Sequence, residues 1–473
     1  MSISRRQFIQ SAAVAAGALA MSPGSVLGAP FRTANLRAAP LEQAVRAGRP
    51  TTNFWGFNGS VPGPVLKFSK GEVARFVVHN ALDVDSAVHW HGVRVPNPMD
   101  GVPHVTQNPI RPGDEFVYEF KLPDSGTYWY HPHQSSFEQV PRGLYGALIV
   151  EEEKPIEVDR ELVWILSDVR IGEDGKQVED FGRILDFAND GRLGNQVLLN
   201  GQAAGVENTI GVQSGERIRL RLINAAAARI FQLSLAGHAL QVIAFDGQAV
   251  EPHVVENLLL GPGMRADLVI DCMQAPGGRY LLGDIHRRSV GPVATLAYSD
   301  ARPVRGKPLA ASIRLAPNQL PEPNLTKAVE HYIMFQGGMR GAPVIGLVDG
   351  KPVHTHELME RHGLAWTMNY TARHEHSLMH EPFLHLGLGE HVILRMVNET
   401  DFVHPMHLHG HFFRVIAVDG KKTAQQAWHD TVIMGPRQTV DVAFVADNAG
   451  DWMYHCHILD HAAGGMMGTI RVG

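Results

Sequence analysis

Short runs of alternating apolar and polar residues recur along the chain, and glycine- and proline-rich turns separate them. The run at 73–80 places Ala74, Phe76 and Val78 at every second position, and similar runs begin at 216 and 391. Because successive side chains of a β-strand point to opposite faces, this alternation predicts strands with one buried face. The pattern therefore predicts an all-β protein built from sandwiches of short strands.

One longer pattern occurs three times. Each copy starts with Gly-Glu, runs through alternating apolar residues to an Asn, and re-enters a strand near a Gly-His or His-Gly pair, at 71–92, 215–238 and 389–411. Copies this far apart are too long for a solenoid and predict separate domains. We expect three, at 30–153, 154–310 and 311–473, with charged and proline-rich linkers at the two boundaries.

The first 29 residues differ from the rest. A paired arginine, Arg5-Arg6, precedes an apolar, alanine-rich run that ends near Met21. The run is too short to span a membrane comfortably. A paired arginine ahead of such a run is typical of a twin-arginine export signal. We therefore exclude 1–29 from the fold and predict a periplasmic protein.

Composition narrows the function classes. The chain has 473 residues and a net charge of -6 with mixed signs, so no basic face suggests nucleic-acid binding. Its two cysteines, Cys272 and Cys456, provide no disulfide framework. Cys272 follows an apolar run and is predicted to be a small buried side chain.

The segment 454–466 contains the donors of a metal site. On a strand, His455 and His457 point to one face and Cys456 to the other. The chain then turns, and His461 and Met466 follow at five-residue steps. A thiolate, an imidazole and a thioether are three of the four ligands of a blue-copper site. His404 provides the missing imidazole in this interpretation, because it lies three residues before His407 and faces the other way.

Three further His-x-His pairs accompany this segment. Each pair presents two imidazoles on one face of a strand. Imidazole suits copper, iron and zinc, so the pairs alone do not choose the metal, whereas the Cys456 loop favours copper. The pairs are His89/His91, His131/His133 and His407/His409.

The motifs His-Trp-His-Gly, His-x-His, His-Pro-Met-His-Leu-His and His-Cys-His-x3-His-x4-Met resemble those of the multicopper oxidases, the family of laccases, ascorbate oxidase and bacterial cuprous oxidases. The resemblance implies three cupredoxin-like Greek-key sandwiches and four coppers. It also implies the ligands: His404, Cys456, His461 and Met466 for type 1; His89 and His407 for type 2; and His91, His131, His133, His409, His455 and His457 for the type 3 pair.

The repeats indicate which domains bind metal. Gly283 and Ile285 of domain 2 match His131 and His133, so we expect no copper there. Pro132 of domain 1 matches Cys456 and cannot ligate. The thiolate site therefore belongs to domain 3. Four imidazoles come from domain 1 and four from domain 3, which predicts a cluster at their interface with domain 2 as a spacer.

The resemblance also implies catalytic roles. Cys456 binds the copper that accepts single electrons, and its neighbours His455 and His457 bind the cluster that reduces O2 to water. Asp100 lies in Met-Asp-Gly, where the family often has a carboxylate near the cluster, and is predicted to relay protons; a simple turn residue is the alternative. Ala462 stands where many bacterial relatives have an acid, with Asp460 before His461, so the second proton route is open.

Two other histidines fit no ligand position. His411 extends one His-x-His pair by a further step, but the resemblance already fills the eight imidazole positions. His238 lies at the matching end of the second repeat without a partner. We predict that neither histidine binds metal.

The reducing substrate has two candidate classes. Ala462, Ala463, Gly464 and Gly465 either leave the edge of His461 open to a small aromatic reductant or form a close-packed turn. A segment from His331 to His391 is enriched in thioethers and imidazoles, which suit Cu(I); scattered surface and core side chains are the alternative. That segment includes Met334, Met339, His354, His356, Met359, His362, Met368, His374, His376, Met379 and His380.

The first hypothesis is therefore a laccase-like oxidase of phenols and aromatic amines. The second is a periplasmic cuprous-ion oxidase. A copper-free structural protein of the same fold is a third, although every ligand position is filled here. A copper nitrite reductase would need fewer imidazoles than the four pairs supply. No membrane span is expected.

Overall fold

The computed structural model describes residues 31–286, 291–340, 343–377 and 381–473. The predicted export signal at 1–29 lies outside these ranges. Within them the chain forms many short strands and few, short helices, which confirms the all-β prediction. None of the helices in the described ranges is long and apolar enough to span a lipid bilayer.

The first β-sandwich consists of two four-stranded sheets. Its strands are β1 (Arg32–Gln43), β2 (Thr52–Phe57), β3 (Leu66–Ser69), β4 (Val73–Asn80), β5 (His89–His91), β6 (Glu115–Lys121), β7 (Gly126–His131) and β8 (Gly146–Glu151). The strand orders are β2-β1-β4-β6 and β3-β8-β7-β5. Its connections include a 3-10 helix (Asn97–Met99) and helix α1 (Ser136–Gln139). Every second side chain of β4 is buried, as the sequence alternation predicts.

The second β-sandwich pairs a seven-stranded with a five-stranded sheet. Its strands are β9 (Arg160–Val169), β10 (Gln196–Leu199), β11 (Gln202–Ala203), β12 (Thr209–Val212), β13 (Glu216–Asn224), β14 (Phe231–Leu235), β15 (Leu240–Phe245), β16 (Gln248–Val255), β17 (Leu258–Leu260), β18 (Arg265–Cys272), β19 (Arg279–Asp284) and β20 (Pro292–Tyr298). The orders are β11-β10-β9-β13-β18-β15-β16 and β12-β20-β19-β14-β17. Helix α2 (Ile184–Phe187) lies in the loop after β9.

The third β-sandwich follows the same plan, with a hairpin added between its first strands. Its strands are β21 (Val329–Gly337), β22 (Ile345–Val348), β23 (Lys351–His354), β24 (Trp366–Met368), β25 (Leu384–Leu386), β26 (His391–Asn398), β27 (His404–Leu408), β28 (Phe413–Val418), β29 (Lys421–Lys422), β30 (Trp428–His429), β31 (Thr431–Met434), β32 (Thr439–Val445), β33 (Gly450–Cys456) and β34 (Met467–Val472). The helices are α3 (Thr355–His362), a 3-10 helix (Glu375–Ser377) and α4 (Leu459–Ala463). The main sheets have the orders β24-β21-β26-β32-β28-β29, with β30 on β28, and β25-β34-β33-β27-β31.

The three copies of the sequence pattern build the same strand pairings. The Gly-Glu strands β4, β13 and β26 each pair in parallel with the first strand of their sandwich and antiparallel with β6, β18 and β32. The domain boundaries at 153 and 310 stay predictions. The strands of the sheets end at 151 and resume at 160, and they end at 298 and resume at 329.

The middle strand β13 departs from the alternating pattern because both of its faces are buried. Its polar face presents Arg219 and Arg221, which form ion pairs with Asp267 of β18 and with Glu152 from the segment after β8. Arg221 also donates to the hydroxyl of Thr127 in the first sandwich, at 2.9 Å. Buried charges require such partners. This face therefore packs against the first sandwich instead of solvent.

The hydrophobic clusters show how the sandwiches pack. One continuous cluster of buried residues contains Trp90 of the first sandwich and Trp366 and Tyr454 of the third. A second cluster joins Trp129 of the first sandwich to Ile223 of the middle one. Strand β5 contains His89 and His91, strand β7 ends at His131, and His133 follows just after it. The packing of Trp90 with Trp366 and Tyr454 places these strands beside the third sandwich.

Candidate metal centres

The ladder between β27 and β33 separates two sets of donors. His407 lies opposite His455, and Met406 lies opposite Cys456. Since adjacent residues of a strand point to opposite faces, His404 shares a face with Cys456, while His407 shares one with His455. The period-two prediction for the histidine–cysteine segment is confirmed.

A sulfur-containing group lies on one side of this ladder. The Sγ of Cys456 is 3.6 Å from Nδ1 of His404 and 3.7 Å from Nδ1 of His461, and the two Nδ1 atoms are 3.1 Å apart. All three side chains are fully buried. Met466 is buried as well, and its carbonyl accepts a hydrogen bond from the backbone N–H of Cys456. Three soft or borderline donor atoms thus converge on one point.

In each imidazole of this group, Nε2, the ring nitrogen that is not near Cys456, forms a hydrogen bond. His404 Nε2 lies 2.8 Å from the hydroxyl of Thr400, and His461 Nε2 donates to the backbone carbonyl of Asn189 in the middle sandwich. A hydrogen bond to one ring nitrogen fixes the ring and directs the other nitrogen to a metal. Thr400 and Asn189 were not identified from the sequence, because no motif marks them.

The edge of His461 is covered. Its side chain has 0 % exposure, and the Trp366 ring lies 4.5 Å from it, centroid to centroid. A Cβ added at Gly464 would lie 3.1 Å from Trp366 and 3.3 Å from Phe187. The small residues after His461 therefore form a close-packed turn, and the alternative in which they leave the imidazole edge open is wrong. The loop before β10 and the Trp366 strand fill that space instead.

An imidazole cluster lies on the other side of the ladder, between the first and third sandwiches. In the first sandwich β5 pairs with β7, so that His89 lies opposite His131. Across the interface, the rings of His89 and His409 stack at 3.9 Å and those of His91 and His407 at 3.8 Å. The interface cluster predicted from the repeats is therefore formed. Its eight members are His89, His91, His131, His133, His407, His409, His455 and His457, all buried.

Several sets of donor atoms in this cluster lie within 4.8 Å of one another. His89 and His407, the pair assigned to type 2 by resemblance, fall in one set with His409. Nε2 of His455 is 3.4 Å from Nε2 of His133 and 3.2 Å from Nε2 of His409. The other sets are His89, His91 and His131; His133, His409 and His455; and His91, His407 and Asp430. His457 lies beside them, its ring centroid 5.0 Å from that of His91.

The ring nitrogens test whether the cluster fits metal ions. Five rings use Nδ1 in hydrogen bonds to oxygen: His89 and His409 on Asp100, His407 on Asp430, and His131 and His455 on nearby carbonyls. Nε2 of His89, His131 and His407, Nδ1 of His91 and both nitrogens of His457 are buried without a hydrogen-bond partner among the described residues. Buried polar atoms are rarely left unpaired. Converging, unpaired imidazole nitrogens are a donor set that suits copper.

Burial lowers the pKa of several of these imidazoles and so favours their neutral form. Desolvation lowers the pKa of His455 to about 3 and that of His461 to about 4, and neighbouring imidazoles add to the effect at His455. Burial also lowers the pKa of His91, His133 and His409. A neutral imidazole has a lone pair for a metal. Burial raises the pKa of Cys456, so that binding of a cation is what would favour its thiolate.

Asp100 joins the two halves of the cluster. Its carboxylate accepts a hydrogen bond from Nδ1 of His409 at 2.8 Å, and its backbone carbonyl accepts one from Nδ1 of His89 at 2.8 Å. The side chain is 1 % exposed. The sequence located this carboxylate beside the cluster, and the structure adds that it holds one ring from each sandwich.

Asp430 is a second carboxylate in the cluster, which the sequence analysis missed. Its Oδ1 is 3.1 Å from Nε2 of His91, and its backbone carbonyl accepts from Nδ1 of His407. Arg265 of the middle sandwich forms a bidentate ion pair with it. This pairing and hydrogen bonds lower the pKa of Asp430. A charged residue directly before the apolar strand β31 was the feature of the sequence that could have pointed to Asp430.

Among the described residues, the remaining candidates contribute no donor atom to either group. His411 packs between Phe444 and Trp452, and Nδ1 contacts the carbonyl of His409. His238 lies 2.6 Å from the hydroxyl of Tyr298 in the middle sandwich. Asp460 is buried and accepts from the backbone N–H of Arg192. Cys272 is buried in the core of the middle sandwich, as predicted.

The His/Met-enriched segment is dispersed. His331 pairs with Glu390, Met368 is buried, and α3 presents His356 to solvent. Met339 approaches the sulfur-containing group, since its Sδ is 3.2 Å from Nδ2 of Asn189, whose carbonyl holds His461. Within the described ranges, no converging set of three or more His, Cys, Asp or Glu side chains includes a residue of this segment. Met379, His380 and the side chain of His376 lie outside what the structure describes.

Comparison with known proteins decides the family. Three multicopper oxidase family models match the chain, at 40–155, 172–300 and 351–473. The chain belongs to the multicopper oxidases. Members of this family are copper-dependent oxidoreductases with O2 as acceptor, built from three cupredoxin-like domains, so the predicted enzyme class and fold are confirmed.

Individual relatives extend over nearly the whole chain. The chain is 31 % identical to the multicopper oxidase MmcO of Mycobacterium tuberculosis, over 92 % of this chain and 86 % of that protein. It is 26 % identical to copper resistance protein A of Escherichia coli, over 88 % of each. A crystal structure of a multi-copper oxidase from Pseudomonas thermotolerans superposes with a TM-score of 0.82 at 32 % identity, covering 94 % of this chain and 100 % of that one.

Proposed function

We propose that this multicopper oxidase is laccase-like and couples one-electron oxidation of phenols and aromatic amines to four-electron reduction of O2 to water. One observation above all supports the proposal. A buried sulfur-containing group and a buried eight-imidazole cluster lie on opposite faces of one ladder, and three consecutive residues, His455, Cys456 and His457, contribute to both.

Four coppers fit these donors. The Cys456 group would hold a type 1 copper, with the thioether of Met466 as a further donor, and the imidazole cluster would hold one type 2 and two type 3 ions. We propose His404, Cys456, His461 and Met466 for type 1, His89 and His407 for type 2, and His91, His131, His133, His409, His455 and His457 for type 3. Copper bound there supplies one-electron acceptance at the thiolate site and electron delivery to O2 at the cluster.

The protein's own residues prepare these sites. Thr400 and Asn189 fix the rings of His404 and His461, and Asp100 fixes those of His89 and His409. Burial of every donor excludes bulk water, which strengthens each electrostatic interaction inside. The peptide bonds on either side of Cys456 connect the two groups covalently.

Asp100 is proposed as a proton relay as well as an orienting group. Asp100→Asn keeps a carbonyl oxygen for the N–H of His409 but removes the acid. We expect copper content to stay at the wild-type level while turnover falls roughly 10- to 100-fold. Steady-state rates across pH, with copper measured on the same samples, check this, and the exposed Asp114→Asn in the same sandwich is the control. Unchanged turnover at full copper loading would remove the relay role.

The surface above His461 is where a reductant would dock. Asn189 covers Nε2 of His461, and its side-chain amide contacts the backbone carbonyl of Leu185 and the thioether of Met339. Leu185 and Met339 are both exposed. A small aromatic molecule on this patch would be separated from the imidazole by one peptide carbonyl. The patch combines these apolar side chains with the exposed ion pair of Asp190 and Arg340, and its apolar part suits the ring of a phenol or aromatic amine.

Cuprous-ion oxidation is the second candidate, and Met339 favours it. Met339 is 53 % exposed and its thioether contacts Asn189, and the neighbouring Asp190 offers a carboxylate that pairs with Arg340. Thioethers suit Cu(I). The relative named copper resistance protein A agrees with this candidate in name.

Turnover of phenols and of Cu(I) by the copper-loaded protein, with and without added Cu(II), separates the two candidates. Met339→Leu keeps the apolar volume and removes the sulfur, and Met334→Leu on β21 is the control. A laccase-like enzyme should oxidise phenols equally well in both variants without added copper. Strong activation by excess copper, or loss of Cu(I) turnover confined to Met339→Leu, would favour the cuprous oxidase. A colourless protein that takes up no copper would support the structural alternative.

Export to the periplasm by the twin-arginine route is proposed from the paired arginine near the start of the chain. Residues 1–29 would then be absent from the mature protein. N-terminal sequencing of protein recovered from the periplasm tests this proposal; a cytosolic protein that keeps its first residues would contradict it.

A further inference from the structure

The middle sandwich contacts the imidazole cluster at two places. A Cβ added to Gly263, in the turn before β18, would lie 2.5 Å from Cδ2 of His457. Two residues later, the guanidinium of Arg265 reaches Asp430, which contacts His91. Arg265 is 0 % exposed. A domain expected to be a spacer therefore forms part of the wall of the site.

Every N–H donor of Arg265 is used. Nε donates to the carbonyl of Thr127 at 3.2 Å, Nη1 to Gly263 at 3.1 Å and Nη2 to Asp246 at 3.0 Å. The remaining two donors bind the two oxygens of Asp430 at 2.8 and 2.6 Å. A guanidinium has five N–H donors in a rigid plane, so its position is completely determined here. The acceptors come from all three sandwiches.

His91 is oriented differently from its neighbours. Five of the eight rings of the cluster use Nδ1 in hydrogen bonds to oxygen, whereas His91 presents Nε2 to Asp430 and leaves Nδ1 unpaired among the described residues. A carboxylate accepts but does not donate, so Nε2 must carry the proton of the neutral ring. The lone pair is then on Nδ1, which is buried and unpaired among the described residues, and His91 offers a ring nitrogen to one set with His89 and His131.

The close fit around this contact is visible at Gly92, the residue after His91. It has a φ of +83°, and an added Cβ would lie 2.2 Å from Nη2 of Arg265 and 2.7 Å from Oδ2 of Asp430. The glycine of the His-Trp-His-Gly motif thus leaves room for the ion pair. The chain cannot shift His91 without disturbing Arg265.

We propose that Arg265 is a positioning residue for the metal cluster: through Asp430 it fixes the tautomer and orientation of His91, so that the metal-free middle domain determines how firmly copper is held between the other two. This inference rests on the proposed copper sites. It goes beyond them because it assigns a role in metal retention to a residue that is not a ligand.

Copper release to a chelator tests the proposal. Arg265→Lys keeps the charge but loses the planar fork, and we expect the copper of the imidazole cluster to be released at roughly 10- to 100-fold lower chelator concentration. The blue absorption of the Cys456 site, which Arg265 does not touch, should stay unchanged. The control is Arg219→Lys on neighbouring β13, because Arg219 is equally buried and ion-paired but contacts Asp267 and Glu152.

Thermal unfolding of the metal-free proteins separates positioning from stability. If Arg265→Lys and Arg219→Lys lower the midpoint similarly while only Arg265→Lys releases copper early, the positioning role is supported. Wild-type copper retention in Arg265→Lys would overturn it, since charge alone would then suffice. A wild-type protein that binds no copper would instead contradict the proposed function.

Asp430→Asn provides an independent test of whether Arg265 acts through Asp430. If Arg265 acts through Asp430, the two substitutions should affect the same step, and the double variant should release copper no earlier than Asp430→Asn alone. Additive effects on copper release would show that Arg265 acts by another route and would overturn the inference.

Discussion

Cys456→Ser is expected to give a colourless protein that oxidises no reductant, although the imidazole cluster still binds copper. The thiolate is the soft donor that selects copper in this group, and a serine hydroxyl is neither soft nor acidic enough to replace it. Visible absorption and copper per chain on the same sample measure the loss. Copper content should fall by the one ion of the Cys456 group.

Cys272→Ser is the matched control for this loss. Cys272 is equally buried but lies in the core of the middle sandwich. We expect full colour and turnover, with the unfolding free energy lowered by about 1–3 kcal/mol because a hydroxyl is buried. A blue, active Cys456→Ser protein would contradict the assignment of the thiolate site, and a colourless Cys272→Ser protein would show that serine substitution acts through the fold.

Gly101→Ala is the second substitution with a large expected effect. Gly101 has a φ of +81°, and an added Cβ would lie 1.8 Å from the carbonyl oxygen of Val88. The backbone conformation costs roughly 1–2 kcal/mol for a non-glycine residue, and the clash with backbone adds about 1–3 kcal/mol. Val88 directly precedes His89, and Gly101 directly follows Asp100. We therefore expect the clash to displace His89 and Asp100 from the cluster. Denaturant unfolding of the metal-free protein and copper content measure the two consequences.

Gly113→Ala is the control that measures the cost of a positive φ without a steric clash. Gly113 has a φ of +85°, and nothing lies within 4 Å of its added Cβ. We expect it to lose only the roughly 1–2 kcal/mol of strain and to keep all its copper. Equal destabilisation and equal copper loss in the two variants would show that the approach of Gly101 to Val88 does not matter.

Contacts between sandwiches help to position both donor groups. Arg265, Asn189 and Gly263 of the middle sandwich each reach one of the two donor groups. The description of that domain as only a spacer is therefore wrong, because its residues also help to hold the donor groups in place. It was derived from the absence of ligands, and a domain without ligands can still provide the groups that orient them.

The sequence by itself determined the fold class and the two donor sets. Alternation with a period of two assigns each side chain of a strand to a face, so the residue order alone places His455 and His457 on one face and Cys456 on the other. The threefold repeat likewise indicated that the imidazole pairs come from the first and last sandwiches. These inferences concern local geometry, which neighbouring residues fix.

Only the tertiary structure decided which groups orient the donors and how accessible they are. Asp430 and Arg265 are 165 residues apart, and Asn189 and His461 are 272 apart. No local pattern connects such pairs, since their contact depends on how the three sandwiches pack against one another. The same packing buries the edge of His461, a point on which the small residues that follow it left two alternatives. The order of residues determines which face of a strand each side chain occupies. The surroundings of a site depend instead on which parts of the chain, distant in sequence, pack together and exclude water.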